Sequence, residues 1–250
     1  MLAAITKNTF KRIVDVLMTV LLLCLMAYQV TGEALHEWIG IDMTVVLIVH
    51  HILNIRWYSA LLKGKYNAYR ILTTAVNTLL LAAIALTAVC GMSISGHAVR
   101  FLYGILPASF ARRFHLAMSY WSFLLMGLHL GLHLPAITAK VRPSKTVKIL
   151  LTCGFTAIAG VGLGLFLQAG IPRYIFFRTP FAFFDYSKPG VLVFLENLAQ
   201  LFFFAFVGAN AVRLVNNVNP KKTGRTSPWI PILCVVLAIL IGAATTRPWI

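Results

Sequence analysis

The chain has 250 residues, 60% of them hydrophobic and 11% charged, with 22 Lys and Arg against 6 Asp and Glu. A soluble domain carries about 25% charged residues, so a mean hydropathy of +0.85 excludes a soluble globular fold. The formal charge of +16 sits mostly at the ends of apolar runs; that is the pattern of membrane topology signals and anionic-lipid contact, not of nucleic-acid binding.

Apolar runs of membrane-spanning length predict an all-α, polytopic helical bundle of about seven transmembrane helices. The first span covers about 12–31 and follows Lys7, Lys11 and Arg12. With no small-residue cleavage site before Glu33, it reads as a retained signal anchor. The second runs from about 33 to 58, with Glu33 and Glu37 at the positive end of its dipole. The third spans about 69–92, and the fourth about 110–136, where Pro135 stops it. The fifth covers about 147–169, the sixth 190–215 and the seventh 228–246. Between the fifth and sixth, residues 171–189 are rich in Phe, Tyr and basic side chains. They predict an extracytosolic amphipathic segment resting on lipid, or a docking face for a redox partner. Fifteen of the 22 Lys and Arg fall before the first span or in alternate loops, with seven at the opposite ends. That asymmetry predicts a cytoplasmic N-terminus.

Imidazole is costly in lipid without a partner, and the histidines follow a pattern. His36 and His50 are fourteen residues apart on the second span; His115 and His129 are fourteen apart on the fourth. Fourteen residues rise roughly 21 Å and return a side chain to within about 40° of its starting direction. Two parallel helices so marked match the demand of two stacked haems with bis-histidine ligation: His36 with His115 at one level, His50 with His129 at the other. Spacing favours His50 over the adjacent His51. His133, eighteen residues from His115, reads as a polar neighbour of a propionate or lipid, with exchange for His129 as the alternative. His97 reads as a surface side chain.

Arg112 and Arg113, one turn before His115, suit haem propionates or interfacial anchoring. Gly40, Gly127 and Gly131 suit either a porphyrin's approach or close helix packing. Asp42 and Glu196 are intramembrane acids: Asp42 suits an acceptor that orients a ligating imidazole, and Glu196, with Asn197 and Gln200, interhelical bonding. Asp15 reads as interfacial. Cys24, Cys90, Cys153 and Cys234 form no C-x-x-C motif, so any haem is non-covalent. Residues 1–140 therefore read as a four-helix haem-binding membrane bundle and 141–250 as three accessory transmembrane helices.

The segments T-G-E-A-L-H-E-W (31–38) and R-R-F-H (112–115) with H-L-G-L-H (129–133) resemble the flavinylation-associated cytochromes, small prokaryotic membrane proteins related to ferric-reductase-like and dihaem b-type cytochromes. The likeness covers about residues 10–140 well and the remainder loosely. It implies haem b, with His36, His50 or His51, His115, His129 and His133 at the matching positions. It also implies electron transfer to extracytosolic proteins carrying FMN; no flavin-attachment motif occurs here, so FMN belongs to a partner. The expectation is a multi-pass protein of the prokaryotic cytoplasmic membrane, passing electrons from quinol or a cytoplasmic donor. The competing expectations are a transmembrane ferric or metal reductase and a haem-free transporter using the same histidines.

Overall fold

The computed structural model describes residues 6–138 and 141–218, and among them the chain is all-α. Its helices are α1 (Lys7–Met26), α2 (Tyr28–Leu53), α3 (Arg56–Ala60), α4 (Ala68–Ser93), α5 (Ala108–Thr138), α6 (Lys145–Gln168), α7 (Ile171–Ile175) and α8 (Gly190–Val218), with a 3₁₀ turn at Arg100–Leu102. Side-chain caps start three of the long ones. Thr6, Asn67 and Ser144 each accept from the N–H three residues on, satisfying donors that an α-helix leaves unpaired.

Among the described residues, four helices are long and apolar enough to cross a membrane: α4, α5, α6 and α8. The chain is accordingly a multi-pass membrane protein by its helices. The sequence reading counts seven spans. The one over 228–246 lies outside the described residues, as do the Lys221, Lys222 and Arg225 loop and Cys234. The two over α1 and α2 are long enough, at 20 and 26 residues, but polar. Lys11, Arg12 and Asp15 interrupt α1, while Glu33, Glu37, Asp42 and three histidines dilute α2.

Three boundaries differ from expectation, each for a local reason. The α1–α2 turn is tighter, pivoting on the fully buried Ala27; Gly32, expected to end the first span, instead kinks α2 at φ +71°, a conformation that favours glycine. Pro135 does not stop α5, which runs to Thr138; Thr138 Oγ1 donates to the Leu134 carbonyl at 2.9 Å. Within 171–189, the expected amphipathic helix is only the five-residue α7. Its Ile171, Tyr174 and Ile175 are buried against Leu116, Tyr120, Trp121 and Leu124 of α5 and Phe166 of α6, so its apolar side packs on protein.

α5 is the central helix. It packs along α4 on one side and α8 on the other, with α6 behind α8 and α1 paired to α2. One cluster joins Val14, Met18 and Leu22 of α1 to Met43, Leu80, Phe123, Met126 and Leu201. Small residues set the α5–α8 distance. A Cβ on Gly131 would collide with the Ala205 backbone, one on Gly127 with Phe204, and one on Gly208 with the Leu128 carbonyl. Lipid offers no hydrophobic drive between helices, so such close backbone approach is how they hold together. Gly127 and Gly131 therefore serve helix packing rather than a porphyrin face. Gly131→Leu should cost about 1–3 kcal/mol through overpacking, seen as a lower thermal midpoint in detergent. Gly154→Ala, where the added methyl meets nothing within 4 Å, should leave the midpoint unchanged or slightly raised.

Candidate functional site

The histidines of α2 and α5 meet at two levels of the bundle. At the first, the His36 and His115 rings meet edge-on across the helices, centroids 6.0 Å apart and 78° between planes. Two imidazoles on opposite sides of one metal ion, each nitrogen about 2 Å from it, hold their centroids roughly 6 Å apart. Gly91 of α4 gives His115 room: a Cβ there would stand 3.0 Å from its Cε1. His115 Nδ1–H donates to the Thr87 carbonyl of α4 at 3.0 Å. A carbonyl only accepts, so the proton sits on Nδ1 and Nε2 keeps its lone pair. The Nδ1 of His36 is buried with no hydrogen-bond partner among the described residues.

At the second level, four imidazoles gather. His129 Nδ1–H donates to Asn77 Oδ1 of α4 at 2.8 Å, and His50 Nδ1–H to Asp15 Oδ1 of α1 at 2.9 Å. Both again leave Nε2 as the unprotonated nitrogen. Where a histidine binds a metal, a bond of this kind to its other ring nitrogen fixes the ring's orientation. His50 and His129 share this level, close enough with His51 and Asp15 to interact electrostatically, but without direct ring contact. His129 instead meets His133 at 4.6 Å, and His50 meets His51 at 5.5 Å. His51 Nδ1 is 2.9 Å from the Tyr58 hydroxyl. Asn54 Nδ2 stands 3.5 Å from His50 Nε2, at the limit of a hydrogen bond.

Several expected roles move to other residues. Asp42 is exposed, and the carboxylate that orients an imidazole is Asp15. Glu196 pairs with Lys188, both carboxylate oxygens 2.9 Å from Nζ. Asn197 Nδ2 and Gln200 Oε1 of α8 and Ser122 Oγ of α5 are buried without partners among the described residues. Arg112 and Arg113 are exposed at the His115 end, where Arg113 borders a shallow cavity with Phe110, Phe114 and Phe177. A Cβ on Gly40 would meet nothing within 4 Å, so that position stays open beside the His36 face of α2. Asn77 and the Thr87 carbonyl escaped the sequence reading. Asn77 had a signal, an amide inside an apolar span; a backbone carbonyl has none.

Glu37 does more than complement a helix dipole. It locks the loop after α4, accepting from Ser95 Oγ and from the N–H groups of Gly96, His97 and Ala98 at 2.7–2.9 Å. Among the described residues, one group of three metal-type donors lies within 4.8 Å: Glu33, Glu37 and His97. Glu37 spends both oxygens on that loop, so the group is a backbone lock. The histidines come in edge-on pairs instead. No protein-family model, curated protein or solved structure matches the chain.

Glu37→Ala should leave four donors without an acceptor, costing about 1–2 kcal/mol. Hydrogen exchange at the 96–98 amides should accelerate; unchanged protection there would remove the lock.

Proposed function

We propose that this chain is a dihaem b-type cytochrome that carries electrons across the membrane, with His36 and His115 holding one haem and His50 and His129 the other. The carrying observation is the His36–His115 pair, its rings edge-on between α2 and α5 with centroids 6.0 Å apart, a spacing at which both imidazoles would hold one iron. The donor chemistry fits: neutral imidazoles with Nδ1–H tied to a carbonyl, an amide oxygen or a carboxylate present Nε2 as a ligand. A divalent-cation carrier needs three or more donors converging on one ion, and paired imidazoles suit it poorly.

Bound haem would supply one-electron exchange between ferrous and ferric iron. The protein's part is to orient the ligands and exclude water. Thr87, Asn77 and Asp15 fix the imidazole protons, and Phe123, Met126 and Leu201 keep the bundle centre apolar. Arg112 and Arg113 suit the propionates of the haem at their end. His51 and His133 flank the other pair as polar neighbours, and Tyr58 bonds His51. In this reading α1 and α2 also cross the membrane, with Asp15 turned onto His50 and Glu37 onto the loop after α4. The N-terminus is cytoplasmic, in a prokaryotic cytoplasmic membrane. Electrons come from quinol or a cytoplasmic donor and leave to an extracytosolic protein carrying FMN, as in the flavinylation-associated cytochromes that the sequence resembles.

Purified protein should show a reducible Soret band and about two haems per chain; a colourless, folded preparation would sink the reading. His36→Ala and His115→Ala should lose the same haem, and His50→Ala and His129→Ala the other. Asn77→Leu and Asp15→Asn should weaken the second haem roughly 10–100-fold, as lost outer-shell partners do. Retention of both haems at full affinity would show the pairing wrong.

A further inference from the structure

A line of aromatic rings leads from His36 to the surface. Tyr28 stands edge-on to the His36 imidazole, centroids 5.1 Å apart and planes at 75°. Tyr28 also stacks on Phe184 at 5.3 Å and 26°. Phe184 meets Tyr186 at 6.2 Å, and Tyr186 is 72% exposed. Every link lies within the range of direct ring contact.

The line depends on tertiary structure. Tyr28 and His36 are eight residues apart, roughly 12 Å along a straight helix, and helical side chains lean toward the N-terminus. Tyr28 would point away from His36 in such a helix. The kink at Gly32 bends this end of α2 and brings the two rings together. The loop is held in place separately. Gln29 Nε2 donates to the Asp185 carbonyl at 3.2 Å, and the Phe183 N–H donates to the Tyr174 hydroxyl at 3.1 Å. Ser187 donates to the Asp185 carboxylate through its hydroxyl and its N–H, holding that carboxyl below its ordinary pKa. Charge of both signs surrounds the line: Glu33, Glu37 and Arg112 all act on Tyr28, and the Asp185 carboxylate stands between Phe184 and Tyr186 in sequence.

We propose that Tyr28, Phe184 and Tyr186 form the exit route for electrons between the cofactor at His36 and a one-electron acceptor that meets the exposed Tyr186 ring. The proposal rests on the haem reading and names the residues through which that site reaches its partner. The electron would come from ferrous haem, were it bound, and the acceptor would gain it. No bond forms or breaks in the rings, and no proton moves. The rings act as a packed π bridge across a distance that solvent or lipid would otherwise fill. Phe183, in the same loop and 73% exposed, pairs with Phe181 and lies off the line.

The test uses the haem-loaded full chain in detergent, reduced with dithionite and mixed with ferricyanide in a stopped-flow instrument. Phe184→Leu keeps an apolar side chain but removes the ring; Tyr186→Ala removes a ring that does not hold the loop. Each should slow reoxidation about tenfold, a one-decade change in rate, while Phe183→Ala should not. Trypsin cleavage after Arg178 gives a readout independent of electron transfer and should show the loop equally protected in all three variants. Unchanged rates with the loop intact would overturn the route, as would equal slowing by Phe183→Ala. If Phe184→Leu exposes the loop to trypsin, Tyr186→Ala decides by the same criterion. A wild-type chain without a Soret band would overturn the haem reading and the route together, whereas a Soret band with unchanged rates would overturn the route alone.

Discussion

An imidazole inside a bundle of lipid-facing helices must find a hydrogen-bond partner or destabilise the fold. This constraint organises the molecule. Helix α4 supplies the Thr87 carbonyl to His115 and the Asn77 amide oxygen to His129; α1 supplies Asp15 to His50. In each case an acceptor takes the Nδ1 proton and frees Nε2. Four helices thus serve the imidazoles, α2 and α5 carrying them and α4 and α1 fixing their protons. Removing an acceptor would strand an N–H and release the ring's orientation at once, so stability and imidazole orientation rest on the same bonds.

Packing follows from that arrangement. α5 bears three of the histidines and is also the helix with the most extensive neighbours. Its histidine face turns toward α2 and α4, while Gly127 and Gly131 seat α8 on the other side. A bulky residue at either glycine would push α8 away and loosen the helix that positions His115 and His129. α2 is the converse case, with Met43 its sole residue classed as buried. Such a helix is held by its ends: the Ala27 turn and Gln29–Asp185 contact at one, the His50–Asp15 pair at the other, and the Glu37 lock to the loop after α4.

Much of this was legible in the sequence because membrane helices are long, apolar and periodic. The spans over α4, α5, α6 and α8 follow from uninterrupted hydrophobic runs, whereas the caps at Asn67 and Ser144 emerge only in the structure. That His36 and His115 share a level follows from equal fourteen-residue intervals on parallel helices, since helical geometry converts sequence separation into height and direction. The helix ends near Gly32 and Pro135 read wrongly because both residues usually break helices. In this bundle one bends a helix that continues, and the other lies in a terminal turn that neighbouring bonds sustain. The partners of the imidazoles were not legible, because each comes from a different helix.

The sequence alone therefore determined that this chain is all-α and membrane-embedded, and that two of its helices carry imidazoles on matching faces. Tertiary structure alone decided that Asp15 rather than Asp42 orients an imidazole, and that Gly127 and Gly131 serve helix packing. It also decided that His36 reaches Tyr28, Phe184 and the surface. The division has a physical cause: periodicity and hydropathy are properties of one helix, whereas a hydrogen bond, a ring stack or a glycine contact exists only when two helices meet.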